Sequence, residues 1–169
     1  MKTIVVLAMH GIPPNDFPRK ELAEFFRLHY IVESMSGPIS QEIQSQYAVL
    51  HKKMRDWPRN NQNDPFQAAS NELAASLNKQ SGYEVLVGYN EFCSPSLDEA
   101  LRIAAQKEAE RILVTTPMMT RGGEHSEKDI PSKIQEFQTS HPQIEVVYAW
   151  PFDPEKVAGF LSAHISQFL

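Results

Sequence analysis

Four short runs rich in β-branched residues set what this chain can fold into. "TIVVLAM" (3–9), "EVLVGYNEF" (84–92), "RILVTTP" (111–117) and "EVVYAW" (145–150) are each bounded by Gly, Pro or polar residues, the pattern of strands buried on both faces. Between and after them the apolar residues take helical spacing: Leu97, Ala100, Leu101, Ala104 and Ala105, then Ile130, Ile134 and Phe137, then Val157, Phe160, Leu161 and Ile165. Alternating strands and helices imply right-handed crossovers. The chain is therefore predicted to be α/β, with a mostly parallel four-stranded sheet between two helical layers. The first connection, from residue 10 to 83, is too long for one crossover helix. It reads as three extra helices near 19–33, 39–56 and 65–79, separated by "SGP" (36–38) and "DWPRNNQNDP" (56–65).

Composition narrows the partners. With 169 residues, 41% of them hydrophobic and 22% charged, the chain can bury one good core, and a single domain over 1–169 is expected. A net charge of -5 argues against a nucleic-acid partner, whose phosphates demand a concentrated basic surface. Any anionic ligand must be met by a local cluster of Lys and Arg. The lone cysteine, Cys93, excludes an internal disulfide and a Cys-rich zinc site, and suits a cytoplasmic location. The apolar N-terminal run is seven residues long, too short to span a bilayer, so no membrane partner is expected.

In open parallel sheets ligands bind beyond the carboxyl ends of the strands. Those ends here carry His10-Gly11, Asn90-Glu91, "TTPMMTRGGEH" (115–125) and "WPFDP" (150–154). The topology would thus bring His10, Glu91 and His125 to one rim. Each also has a plain structural reading: His10 as a hydrogen-bonded loop residue, Glu91 as a solvated strand end. His125 is less ordinary, because a positive charge near a helix N-terminus opposes the macrodipole. It serves better as a neutral base or ligand. Asp129 is expected to cap the following helix, with Pro131 in its first turn and Glu124 and Glu127 near its start. His29, His51, His141 and His164 read as surface or packing residues.

Three elements carry a resemblance: "HG" after strand one, "EFCSPS" (91–96) and above all "GGEHSEKDIP" (122–131). Together they resemble the small class II tetrapyrrole chelatases of the CbiX and SirB type, a family similar to half of a two-lobed chelatase such as ferrochelatase. The similarity covers strand one and nearly everything from residue 83 onward. It implies a chelatase-like fold and insertion of a divalent ion, Co²⁺ first and Ni²⁺ or Fe²⁺ as alternatives, into sirohydrochlorin or a related tetrapyrrole. His10 and His125 would bind the metal, and with Glu91 form the catalytic set. The metal is substrate, and no organic cofactor is implied. Because small members pair, a homodimer with facing strand-end rims is expected.

The chemistry suits these residue types. Neutral imidazole binds cobalt, nickel, ferrous iron and zinc and is a base near pH 7. A carboxylate beside it adds a second base and lowers the charge of the metal complex. For the carboxylated macrocycle, Arg121 and the backbone at Gly122 and Gly123 are the candidate binding group, with Lys128, Arg19 and Lys20 as further cations and Met118 and Met119 as candidate lining. The chain departs from the family in "HGIPPNDFP" (10–18), stiffened by three prolines, and in its long 19–80 segment. Two other readings stay open: a non-catalytic metal or tetrapyrrole carrier on the same fold, and a phosphate-ligand enzyme using "TRGG" as an anion nest. The latter lacks a P-loop or a GxGxxG after strand one.

Overall fold

The computed structural model describes residues 1–34 and 37–169, so the start of the "SGP" separator, Ser36, lies outside the described residues. Four parallel strands, β1 (Thr3–Met9), β2 (Glu84–Tyr89), β3 (Arg111–Thr115) and β4 (Glu145–Tyr148), form one sheet in the order β2-β1-β3-β4. This is the α/β architecture expected from the alternation. Successive β1 residues alternate between two cores. Ile4, Val6 and Ala8 pack with α4 (Leu97–Gln106) and α5 (Ile130–Ser140) on one face, and Leu7 and Met9 pack with α3 (Pro65–Ser81) on the other.

The long first connection does hold three helices: α1 (Arg19–Ser34), α2 (Gln41–Arg55) and α3. Asp64 starts α3 by accepting the Gln67 N–H at 2.8 Å, and Gly82, with φ +75, ends it. α1 and α2 make a third small core, in which Phe17, Phe25 and Met54 enclose Phe92. The insertion therefore packs directly on the residue that follows Glu91.

Two expectations need correction. Strand β2 stops at Tyr89 rather than at residue 92, and Phe92 adopts φ +56, incompatible with an extended run. Only β1 is buried along nearly its whole length; in β3, Ile112 and Val114 are buried while Leu113 is half-buried. Cover from α6 (Pro154–Ile165) is also slight. Its apolar residues have the helical spacing read from the sequence, yet none is buried, and Phe160, Leu161 and Ile165 are exposed.

Candidate metal-ligating site

The rim forms because the β1–β2 ladder continues past both strands. The Asn90 N–H donates to the Met9 carbonyl at 2.8 Å and the Glu91 N–H to the His10 carbonyl at 2.9 Å. This brings the residues after the strands side by side. Gly11 follows with φ +95, and a Cβ there would lie 2.0 Å from the Glu91 carbonyl oxygen. The "HG" pair is thus a steric requirement: only glycine lets the loop bearing His10 approach the loop bearing Glu91 this closely.

Beyond these loops a buried ion pair ties the insertion to both. Arg59 and Asp64 pair in the interior, with side chains 4% and 0% exposed. Arg59 also donates to the carbonyls of Ile12 (2.8 Å), Phe92 (2.6 Å) and Met54 (3.1 Å). One guanidinium therefore fastens the loop after β1, the loop after β2 and the end of α2. Cys93 is buried next to it, its Sγ 3.6 Å from the Ile12 carbonyl and 3.7 Å from Asp64 Oδ2. Burial pushes its thiol up to about 11. In the same stretch Ser96 and Glu99 form a reciprocal capping box that starts α4.

The third component comes from the loop after β3. Gly122, at φ +88, turns the chain, and His125–Asp129 form a single π turn before α5, closed by the Ile130 N–H on the His125 carbonyl. Ser126 is buried, donates to the Gly123 carbonyl at 3.2 Å and accepts from the Tyr148 hydroxyl at 3.0 Å. Tyr148 is itself pushed up to about 12 by burial. The histidine loop is thereby anchored to β4.

His10, Glu91 and His125, widely separated in sequence, do meet. Each offers a ligand atom within 4.8 Å of the others. Glu91 reaches toward both histidines, with Oε2 3.6 Å from His10 Nδ1 and Oε1 3.9 Å from His125 Nε2. The two imidazole rings stand 4.7 Å apart between centroids. Donors that share an ion at bonds of about 2.1 Å are at most about 4.2 Å apart. The set is slightly wider than a closed coordination sphere.

The remaining candidates behave differently. Arg121 is exposed and reaches Glu127 at 3.3 Å, and Lys128 reaches Glu124 at 3.2 Å. The Gly122 N–H also serves Glu127; that bond first, then Arg121, holds the carboxyl below the usual range. A side chain at Gly123 would crowd Ser126 Oγ, 3.0 Å from the ideal Cβ position. Met118 packs against the core. Arg19 and Lys20 are exposed at the start of α1. Pro131 occupies the first turn of α5 as expected, but Asp129 does not cap the helix: it has αR geometry and no side-chain cap bond. Its Oδ2 instead lies 2.6 Å from His125 Nδ1. The spacing of four residues, which puts both side chains on one helical face, was the available signal. The outlying histidines are surface or packing residues, with His29 stacked on Phe25, His141 on Phe137 and His164 exposed.

The fold and this rim define a parallel α/β protein carrying two imidazoles and a carboxylate at the strand ends. A family model described as CbiX matches residues 61–166, and the chain belongs to that family. It is 29% identical over 82 residues to a sirohydrochlorin ferrochelatase of Priestia megaterium, a match spanning 48% of this chain and 30% of that relative. The matched part is thus less than a third of that protein's length. Among solved structures, the sirohydrochlorin chelatase SirB from Bacillus subtilis subspecies spizizenii in complex with cobalt is similar at 16% identity and TM-score 0.45, over 89% of this chain and 44% of that one. A CbiX protein assigned to cobalamin (vitamin B12) biosynthesis in Marinobacter aquaeolei VT8 is similar at 17% identity and TM-score 0.46, over 98% and 97% of the two chains.

Proposed function

We propose that this protein is a metal chelatase that inserts a divalent ion into sirohydrochlorin or a related tetrapyrrole, with Co²⁺ the leading metal and Fe²⁺ or Ni²⁺ the alternatives. The observation that carries the reading is the approach of His10, Glu91 and His125, each with a ligand atom within 4.8 Å of the others. CbiX membership and the similarity to a sirohydrochlorin ferrochelatase support it.

Insertion requires an incoming ion to shed water, change ligands and meet a macrocycle that loses two pyrrole protons. Two imidazole lone pairs suit this group of metals. Glu91, reaching toward both rings, lowers the charge of the complex and accepts a proton in passing. The open spacing favours release, since a tightly closed sphere would retain the ion. Gly11 and Arg59 set that spacing through the backbone of the two loops, so the 19–80 insertion acts as a wall of the rim. In this reading the whole chain is one chelatase domain.

A flat macrocycle has two faces, and one rim supplies contacts to one of them. The active form is therefore a symmetric homodimer with facing rims, working in the cytoplasm and needing neither nucleic acid nor membrane. Light scattering on eluted protein tests this directly: twice the chain mass supports the dimer, and a strict monomer counts against it. One observation favours the carrier alternative. Arg121 and the Gly122 N–H, proposed to hold the substrate carboxylates, both engage Glu127, so the substrate must displace that glutamate. Measuring metal insertion by the unmodified chain and its H10A and H125A variants separates the two readings, because a carrier binds without turnover.

A further inference from the structure

His125 has two ring nitrogens in different surroundings. Nδ1 lies 2.6 Å from Asp129 Oδ2, while Nε2 is 3.9 Å from Glu91 Oε1. The first separation is a hydrogen bond and the second is too long for one. A carboxylate has no hydrogen to give, so the shared hydrogen belongs to Nδ1. In a neutral imidazole that leaves the lone pair on Nε2, the nitrogen facing Glu91.

We propose that Asp129 is a positioning residue for His125: by accepting the Nδ1–H it fixes the ring orientation and the tautomer that turn the Nε2 lone pair toward the space shared with His10 and Glu91. The inference rests on the chelatase reading for its purpose and on geometry for its existence. Asp129 is available because it has no other local duty, with no side-chain bond to the start of α5. The π turn places it one turn beyond His125, and its side chain is 45% exposed. A side-chain hydrogen bond this exposed contributes only modestly to folding, so orientation is the effect its removal should show.

The two histidines are consequently unequal. His10 meets Glu91 through Nδ1 at 3.6 Å and is more exposed than His125. The geometry makes His125 the held ligand and His10 the one that adjusts around the ion. Partners of this kind contribute to metal affinity by fixing ring direction and basicity, and their loss typically weakens binding by about 10- to 100-fold.

The test compares the unmodified chain with D129A and D129N. Long-range ¹H–¹⁵N correlation spectra of the metal-free proteins, in alkaline buffer, report which His125 nitrogen carries the hydrogen. A Co²⁺ titration followed by visible absorbance reports affinity. The Nδ1–H form should dominate in the unmodified chain and in D129N, whose amide carbonyl still accepts the bond, and should lose its dominance in D129A. Cobalt affinity should fall by about 10- to 100-fold in D129A and by less than about 3-fold in D129N. An unchanged tautomer and affinity in D129A overturn the inference, as does a D129N variant as impaired as D129A. If the unmodified chain binds none of Co²⁺, Fe²⁺ and Ni²⁺, the chelatase reading fails on its own, and the spectra still decide whether Asp129 holds His125.

Discussion

The carbonyl oxygen of Glu91 occupies the place where a side chain on Gly11 would begin, 2.0 Å from the ideal Cβ. The loops after β1 and β2 therefore pack against each other at a distance that only glycine permits, which sets His10 beside Glu91. Gly11→Ala must also adopt φ +95, and strain of this kind costs about 1–3 kcal/mol. Urea unfolding should show a loss of at least that size, together with weaker cobalt binding. An alanine variant matching the parent in both would mean that the loops are not locked at this point.

The Arg59–Asp64 pair makes a second prediction. Removing one partner of a buried pair leaves the other uncompensated, at a cost of about 3–5 kcal/mol. Arg59→Met should destabilise by that order in urea unfolding, and the double variant R59M/D64L should recover only the part due to the uncompensated carboxylate, because the carbonyls of Ile12, Met54 and Phe92 and the Gln67 N–H then lose their side-chain partners. A single variant costing less than about 1 kcal/mol would show that Asp64 is solvated or partnered another way.

How much of this was legible beforehand depends on the kind of interaction. The sheet was readable because its strands are local apolar runs, and the meeting of His10, Glu91 and His125 followed from parallel topology, which collects strand ends. Arg59 was not readable: its partners Ile12 and Phe92 contribute backbone carbonyls, which leave no trace in residue identity. Asp129 was misassigned because an acid before Ile-Pro fits a helix cap as well as a histidine partner, and the π turn decides between them. The apolar spacing of 157–165 described a helix correctly but not what it packs against, since amphipathicity names a face and not its neighbour.

Stability should fall in alkali. Burial lifts the Cys93 thiol from 9.0 to about 11 and the Tyr89 hydroxyl from 10.0 to about 12. Below pH 9 the thiol is protonated in folded and unfolded chains alike. As pH rises further the unfolded thiol ionises first, so unfolding releases a proton and is favoured by each additional increment. The stabilisation is thus present below 9.0 and lost as pH rises through about 11. The urea midpoint should decline across that window, and Cys93→Ala should flatten the decline. An equal slope in both proteins would remove Cys93 as the cause.

Helix α6 has no buried residue, so its apolar side chains add little to folding of the single chain. Phe160→Ala and Ile165→Ala should each change the stability of dilute protein by less than about 0.5 kcal/mol, the range of ordinary surface substitutions. A larger loss that grows with protein concentration would show that these residues are covered in an assembly. A larger loss independent of concentration would contradict the placement of α6.

In the proposed reaction His125 and His10 pass a metal ion to a tetrapyrrole. Anaerobic absorbance of sirohydrochlorin with Co²⁺, Fe²⁺ or Ni²⁺, at catalytic amounts of the protein and of its H125A variant, tests it most directly. The predicted result is accelerated metallation over many turnovers, fastest with Co²⁺ and lost in H125A. A spectral change that stops at protein stoichiometry, or a folded H125A variant that metallates at the full rate, would contradict it.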